Sequence, residues 1–150
     1  MKNIMILGIC RTGKSTFSKM IQKKFNYYQI IEVDTIISAL QKTIPSIPIG
    51  FIHDNLPENK LPQFLIQKNI NKSGNDYGFI INADSILPED LVNNFNLENM
   101  IVYYFVSPNL TPNDVLNNCR KYDNKEEWSA RSNDNKLIDH FTFYKSIEKK

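Results

Sequence analysis

The sequence predicts an α/β domain: a three-layer, doubly wound parallel sheet of four to five strands with a phosphate-binding loop near its start. Three observations carry this reading. Gly8-Ile9-Cys10-Arg11-Thr12-Gly13-Lys14-Ser15 has the spacing G-x-x-x-x-G-K-[ST], and it lies between an apolar run and an amphipathic segment. Four apolar runs of strand length recur along the chain, each followed by helical material, the alternation expected of βαβ units. Each run ends at a glycine or polar residue, namely Gly8, Asp34, Asp84 and Ser107. Ligands of such sheets bind beyond the carboxyl ends of the strands.

The first strand is expected over Asn3 to Leu7 and the first helix over Thr16 to Phe25, with its turn opening near Lys14. The second strand runs from Tyr28 to Val33, the third from Tyr77 to Ala83 and the fourth from Met100 to Val106. Their continuous apolar, β-branched and aromatic content suits strands buried on both faces. A short helix is expected from Thr35 to Lys42, stopped by the prolines at 45 and 48. Further helices are expected from Leu61 to Asn71, with Pro62 in the first turn, and from Pro88 onward. Thr111-Pro112-Asn113-Asp114 reads as a helix start with Thr111 at the N-cap. The last helix is expected from Asn135 to Glu148, within which Phe141-Thr142-Phe143-Tyr144 is a competing strand candidate.

Composition bounds the function. A chain of 150 residues is expected to form one domain, and at that size it buries roughly 70% of its unfolded surface. The net charge of +2 makes no broad electrostatic case for nucleic acid. No apolar stretch reaches the ~18 residues that span a bilayer, and no secretory signal is visible. Cys10 and Cys119 form no metal-binding or disulfide pattern, which fits a reducing, cytoplasmic setting.

The chemistry of the loop follows from its residue types. Gly8 and Gly13 allow positive φ and close approach to an anion. The amides of Cys10, Arg11, Thr12 and Gly13 can then form an anion nest, extended by the N-terminal end of the helix at Lys14, Ser15 and Thr16. Lys14 is expected to reach the β- and γ-phosphates and the Ser15 hydroxyl to bind Mg²⁺. Cys10 has a plainer reading as a small side chain filling a turn. Asp34 either accepts a proton from an acceptor hydroxyl or caps the helix beginning at Thr35. Asp84 either holds Mg²⁺, directly or through water, or caps the turn at Ser85. The chain has three arginines, Arg11, Arg120 and Arg131. The last two either close onto phosphate or pair with Asp123, Glu126 and Glu127.

With its N-terminal loop, Asp34 after the second strand, Asp84 after the third and the segment from Arg120 to Arg131, the chain resembles the P-loop kinases of small molecules. Nucleoside-monophosphate kinases and shikimate kinase are examples. The resemblance implies ATP and Mg²⁺ as cofactors and phosphoryl transfer to a small acceptor: a nucleotide, a nucleoside or another metabolite. It implies catalytic roles for Lys14, Asp34, Arg120 and Arg131, the last two on a lid at about 120–133. GTPases fit less well, because Asn71-Lys72-Ser73-Gly74 and Asn135-Lys136-Leu137-Ile138 lack the aspartate of their base-reading motif. Two features support an alternative, a nucleotide-binding module with little or no catalysis. A fifth strand after the lid is not evident, and no arginine lies between residues 12 and 119 to grip an acceptor phosphate. The expected partners are a nucleoside triphosphate and a small-molecule acceptor, with neither nucleic acid nor membrane. A homodimer is a candidate assembly.

Overall fold

The structure, a computed structural model, describes residues 2–9, 12–46, 78–83, 87–95, 97, 98, 100–122 and 134–149. Its centre is β1 (Asn3–Gly8), flanked by β3 (Gly78–Asn82) and β4 (Met100–Phe105), with β2 (Tyr28–Glu32) outside β3. All pairings are parallel, in the order β2-β3-β1-β4. The register sets Ile6 beside Asn82 and Tyr103, Asn82 beside Glu32, and Gly8 beside Phe105. All six residues of β1 are buried, which is why its sequence shows no polar alternation.

The helices are α1 (Lys14–Lys24), α2 (Val33–Thr43), α3 (Pro88–Asn94), α4 (Pro112–Tyr122) and α5 (Asp134–Glu148). On one sheet face Ile4, Ile6 and Ile80 pack against Phe17 and Ile21 of α1. On the other, Met5, Leu7 and Ile81 pack with Val33 of α2 and Leu91 of α3. Full burial of each such side chain contributes roughly 1.5–3 kcal/mol. The chain therefore leaves β1 for β2 over one face and leaves β3 for β4 over the other. The carboxyl ends of β1 and β3 lie where these connections diverge, the crevice in which doubly wound sheets take their ligands.

The expected fold class is borne out, and the four expected strands are all present. One local expectation changes, and the last helix, expected from Asn135 to Glu148, is present. The helix after β2 begins at Val33 rather than Thr35, so Asp34 is an exposed first-turn residue and not the cap of a later helix. The reason is Val33, whose side chain is fully buried in the core and fixes the first turn against the sheet. The strand candidate at Phe141 to Tyr144 lies inside α5. Ile138, Phe141 and Tyr144 recur every third residue and pack with Ile9, Val115 and Leu116, a helical stripe and not an alternating one. The helix expected from Leu61 to Asn71 lies outside the described residues.

The start of α4 is as expected. Asp114 N–H donates to Thr111 Oγ1 (3.2 Å), while Thr111 N–H and Oγ1–H donate to Asp114 Oδ2 (2.9 and 2.6 Å). This reciprocal cap holds the Asp114 carboxyl below its ordinary range, through the Thr111 side-chain hydrogen bond first and the backbone one second. Pro112 follows at the first helical position, where a missing N–H costs nothing.

Candidate phosphate-binding and transfer site

The loop between β1 and α1 is shaped by its two glycines. Gly8 has φ +137°, and a Cβ there would stand 2.5 Å from the carbonyl oxygen of Phe105. Gly13, at φ +95°, turns the chain into α1, and among the described residues no neighbour lies within 4 Å of a Cβ placed on it. The first helical bond runs from Phe17 N–H to the Gly13 carbonyl at 3.0 Å. Among the described residues no side chain caps α1, and its first turn holds no acidic residue. The amides of that turn are therefore available to an external anion, which the helix dipole favours.

Lys14 lies back across the loop. Its ammonium donates to the carbonyl oxygens of Gly8 (2.6 Å) and Ile9 (2.8 Å), and Thr12 Oγ1 donates to the same Ile9 oxygen (2.8 Å). An ammonium has three donors, so among the described residues two are spent on the loop itself. Ser15 and Thr16 are exposed on the first turn of α1. Cys10 and Arg11 lie outside the described residues.

Beneath α1 a buried polar chain joins three elements. Ser18, fully buried on α1, donates to Asn82 Oδ1 at 2.6 Å and also lies 2.9 Å from the Lys14 carbonyl. Asn82 Nδ2 donates to Glu32 Oε1 at 2.8 Å. The ionised carboxylate can only accept, so it fixes which way the amide points: nitrogen to Glu32, oxygen to Ser18. Asn82 is 3% exposed, hence its polar atoms depend on these partners. Glu32 and Asn82 are the last residues of β2 and β3, so the chain runs along the carboxyl edge of the sheet toward the loop.

At the same sheet end, Lys145 and Glu148 of α5 grip the residue that follows β4. Lys145 donates to the Ser107 carbonyl and to Glu148 Oε2 (2.6 Å), and Ser107 N–H donates to Glu148 Oε1 (3.3 Å).

The structure thus brings Gly8, Thr12, Gly13, Lys14, Ser15 and Thr16 into one loop and helix start. Asp34 stands two residues beyond Glu32 in the first turn of α2. Arg120 is an exposed residue in the last turn of α4, where a cation suits the helix dipole, so it belongs to a helix rather than to a segment after it. Asp84, Arg131 and the rest of the lid segment from 123 to 133 lie outside the described residues. Sequence reasoning missed Ser18, Glu32 and Asn82. The available signal was a polar residue closing each of two otherwise apolar strands, Tyr28-Gln29-Ile30-Ile31-Glu32 and Gly78-Phe79-Ile80-Ile81-Asn82.

No family model matches the chain, and no curated protein matches it by sequence. Among solved structures it is similar to deoxyadenosine kinase from M. mycoides, determined with bound dATP. The match has a TM-score of 0.51 at 19% identity and covers 100% of this chain and 85% of that one. With its four parallel strands in the order β2-β3-β1-β4 and a glycine-bearing loop leaving the central strand for α1, the chain has an α/β fold like that of the P-loop kinases.

Proposed function

We propose that the protein is a P-loop small-molecule kinase that transfers the γ-phosphoryl group of ATP to a hydroxyl acceptor. One observation carries this reading: among the described residues no side chain caps the first turn of α1, and the Lys14 ammonium of that turn lies across the same loop on the Gly8 and Ile9 carbonyls. One loop and helix start thus supplies both backbone donors and a cation, as a triphosphate tail requires.

In the transfer, the acceptor oxygen bonds to the γ-phosphorus, the bond to the bridging oxygen breaks, and ADP leaves. Lys14 neutralises charge on the phosphates, exchanging a loop carbonyl for a phosphate oxygen. The acceptor proton passes to a carboxylate at the β2–α2 junction. Glu32 suits this role, because Asn82 holds one of its oxygens. Asp34, on the first turn of α2, would orient the acceptor. Arg120 and Arg131 would add positive charge around the transferred group.

The donor set fits magnesium in one respect. Among the described residues no cluster of three or more acidic, histidine or cysteine side chains could hold a metal by itself, but magnesium bound to phosphates needs only one or two protein oxygens. The Ser15 hydroxyl is such an oxygen, and Asp84 would be a second. When bound, the ion neutralises charge between the phosphate oxygens. No helix among the described residues is long and apolar enough to cross a membrane.

The similarity to a deoxyadenosine kinase makes a nucleoside the first acceptor to try. Phosphate transfer from ATP to deoxyadenosine, other nucleosides, nucleotides and hydroxy metabolites, each with and without Mg²⁺, tests the reading. ATP binding without transfer to any of these would favour the second reading, a nucleotide-binding module. That reading is supported by Asn82, an amide at the strand end beside the loop where a carboxylate would serve metal chemistry better.

A further inference from the structure

We infer that Asn82 is a positioning residue: it holds the Glu32 carboxylate at a set offset from the phosphate-loop helix, so that donor and acceptor sides of the site move as one unit. The inference rests on the kinase reading and concerns how its two halves are joined. Among the described residues, Asn82 is the side chain that bonds both Ser18, one turn beyond Lys14 on α1, and Glu32, at the end of β2. Both contacts are short, and both Ser18 and Asn82 are withdrawn from water. The amide has one low-energy orientation, since rotating it would set its oxygen against the Glu32 carboxylate, which can only accept. Ser18 also lies 2.9 Å from the Lys14 carbonyl, so the chain ends on the backbone of the residue whose ammonium spans the loop.

The geometry explains why an amide stands here. A carboxylate at position 82 could accept from Ser18, but it would face Glu32 as a like charge. An apolar residue would leave Ser18 and Glu32 both without this partner. Only a side chain that accepts on one side and donates on the other serves both. Exchanging the two groups, Asn82→Asp with Glu32→Gln, rebuilds the same bonds with the carboxylate moved from strand β2 to strand β3. The exchange therefore separates hydrogen bonding from placement of the charge.

The test measures Tm, ATP affinity and steady-state transfer for the full chain and for Glu32→Gln, Asn82→Asp and the exchanged pair. The expected result for Glu32→Gln is a Tm near that of the parent and a kcat lower by about 100-fold, with the KM for ATP little changed. Asn82→Asp should lower both Tm and kcat. The exchanged pair should regain Tm but not kcat. Recovery of kcat together with Tm in the exchanged pair would overturn the inference, because it would show that only the bonds matter. Parent-like turnover in Glu32→Gln would overturn it as well. If Asn82→Asp fails to fold, Ser18→Ala removes the other end of the chain: lower kcat at unchanged ATP affinity is expected, and unchanged kcat overturns the role. Failure of the kinase reading would show differently, as absence of transfer by the parent chain with every acceptor.

Discussion

Gly8 and Phe105 face each other across the β1–β4 pair so closely that a single methyl group on Gly8 would lie 2.5 Å from the Phe105 carbonyl oxygen and 3.0 Å from its Cβ. The site loop begins at a position where the sheet has no room for a side chain.

The two glycines should consequently fail in different ways. Gly8→Ala meets backbone as well as an unfavourable φ, and it should destabilise the protein by about 3 kcal/mol or more. Gly13→Ala meets no atom of the described residues within 4 Å and should bear chiefly the cost of φ +95°, about 1–2 kcal/mol. Urea unfolding of the two variants should show this order. Equal losses would mean that crowding by β4 is not what keeps Gly8.

Lys14→Ala should leave the fold intact and abolish phosphate transfer. Its ammonium bonds only loop carbonyls among the described residues, so the stability change should stay within about 1 kcal/mol. Calorimetric titration with ATP and a thermal melt, run on the same sample, check both halves.

The Lys145–Glu148 pair is a structural anchor and not a surface ornament. The side chains are 21% and 7% exposed, and together they take both backbone polar groups of Ser107. Lys145→Met leaves a largely buried carboxylate without its cation and should cost about 3 kcal/mol. Adding Glu148→Gln should cost less than the sum of the single losses, since the unpaired charge is gone. A double-variant cycle by chemical denaturation reads the coupling directly.

The cap on α4 predicts a pH signature. Asp114 has its folded pKa lowered below 3.8 by the Thr111 hydrogen bonds. A depressed carboxylate pKa means the unfolded chain takes up the proton first. The cap's contribution is thus present above 3.8 and lost as pH falls through the lower folded value. Thr111→Ala should melt below the parent at pH 7, and the gap between them should narrow as the solution is acidified past that range. A gap that stays constant in acid would show that Asp114 ionisation plays no part.

Much of this architecture was legible beforehand because its causes are local. The buried run of β1, the glycine spacing of the loop and the Thr111–Asp114 cap each depend on neighbours a few residues away. The stripe of Ile138, Phe141 and Tyr144 was ambiguous, because a short apolar cluster is compatible with strand or helix until its packing partner is known. Ile9, on the far side of the chain, resolves it.

Residue types and their spacing alone determined the α/β class, the parallel sheet and the glycine turn between β1 and α1, since periodicity and glycine stereochemistry act over short range. Tertiary structure alone decided that Ser18, Asn82 and Glu32, dispersed over 65 positions, form one hydrogen-bonded chain. The physical reason is register: pairing Ile6 with Asn82 and Asn82 with Glu32 sets polar side chains from two strands side by side under α1, and no local pattern encodes which strand ends will meet.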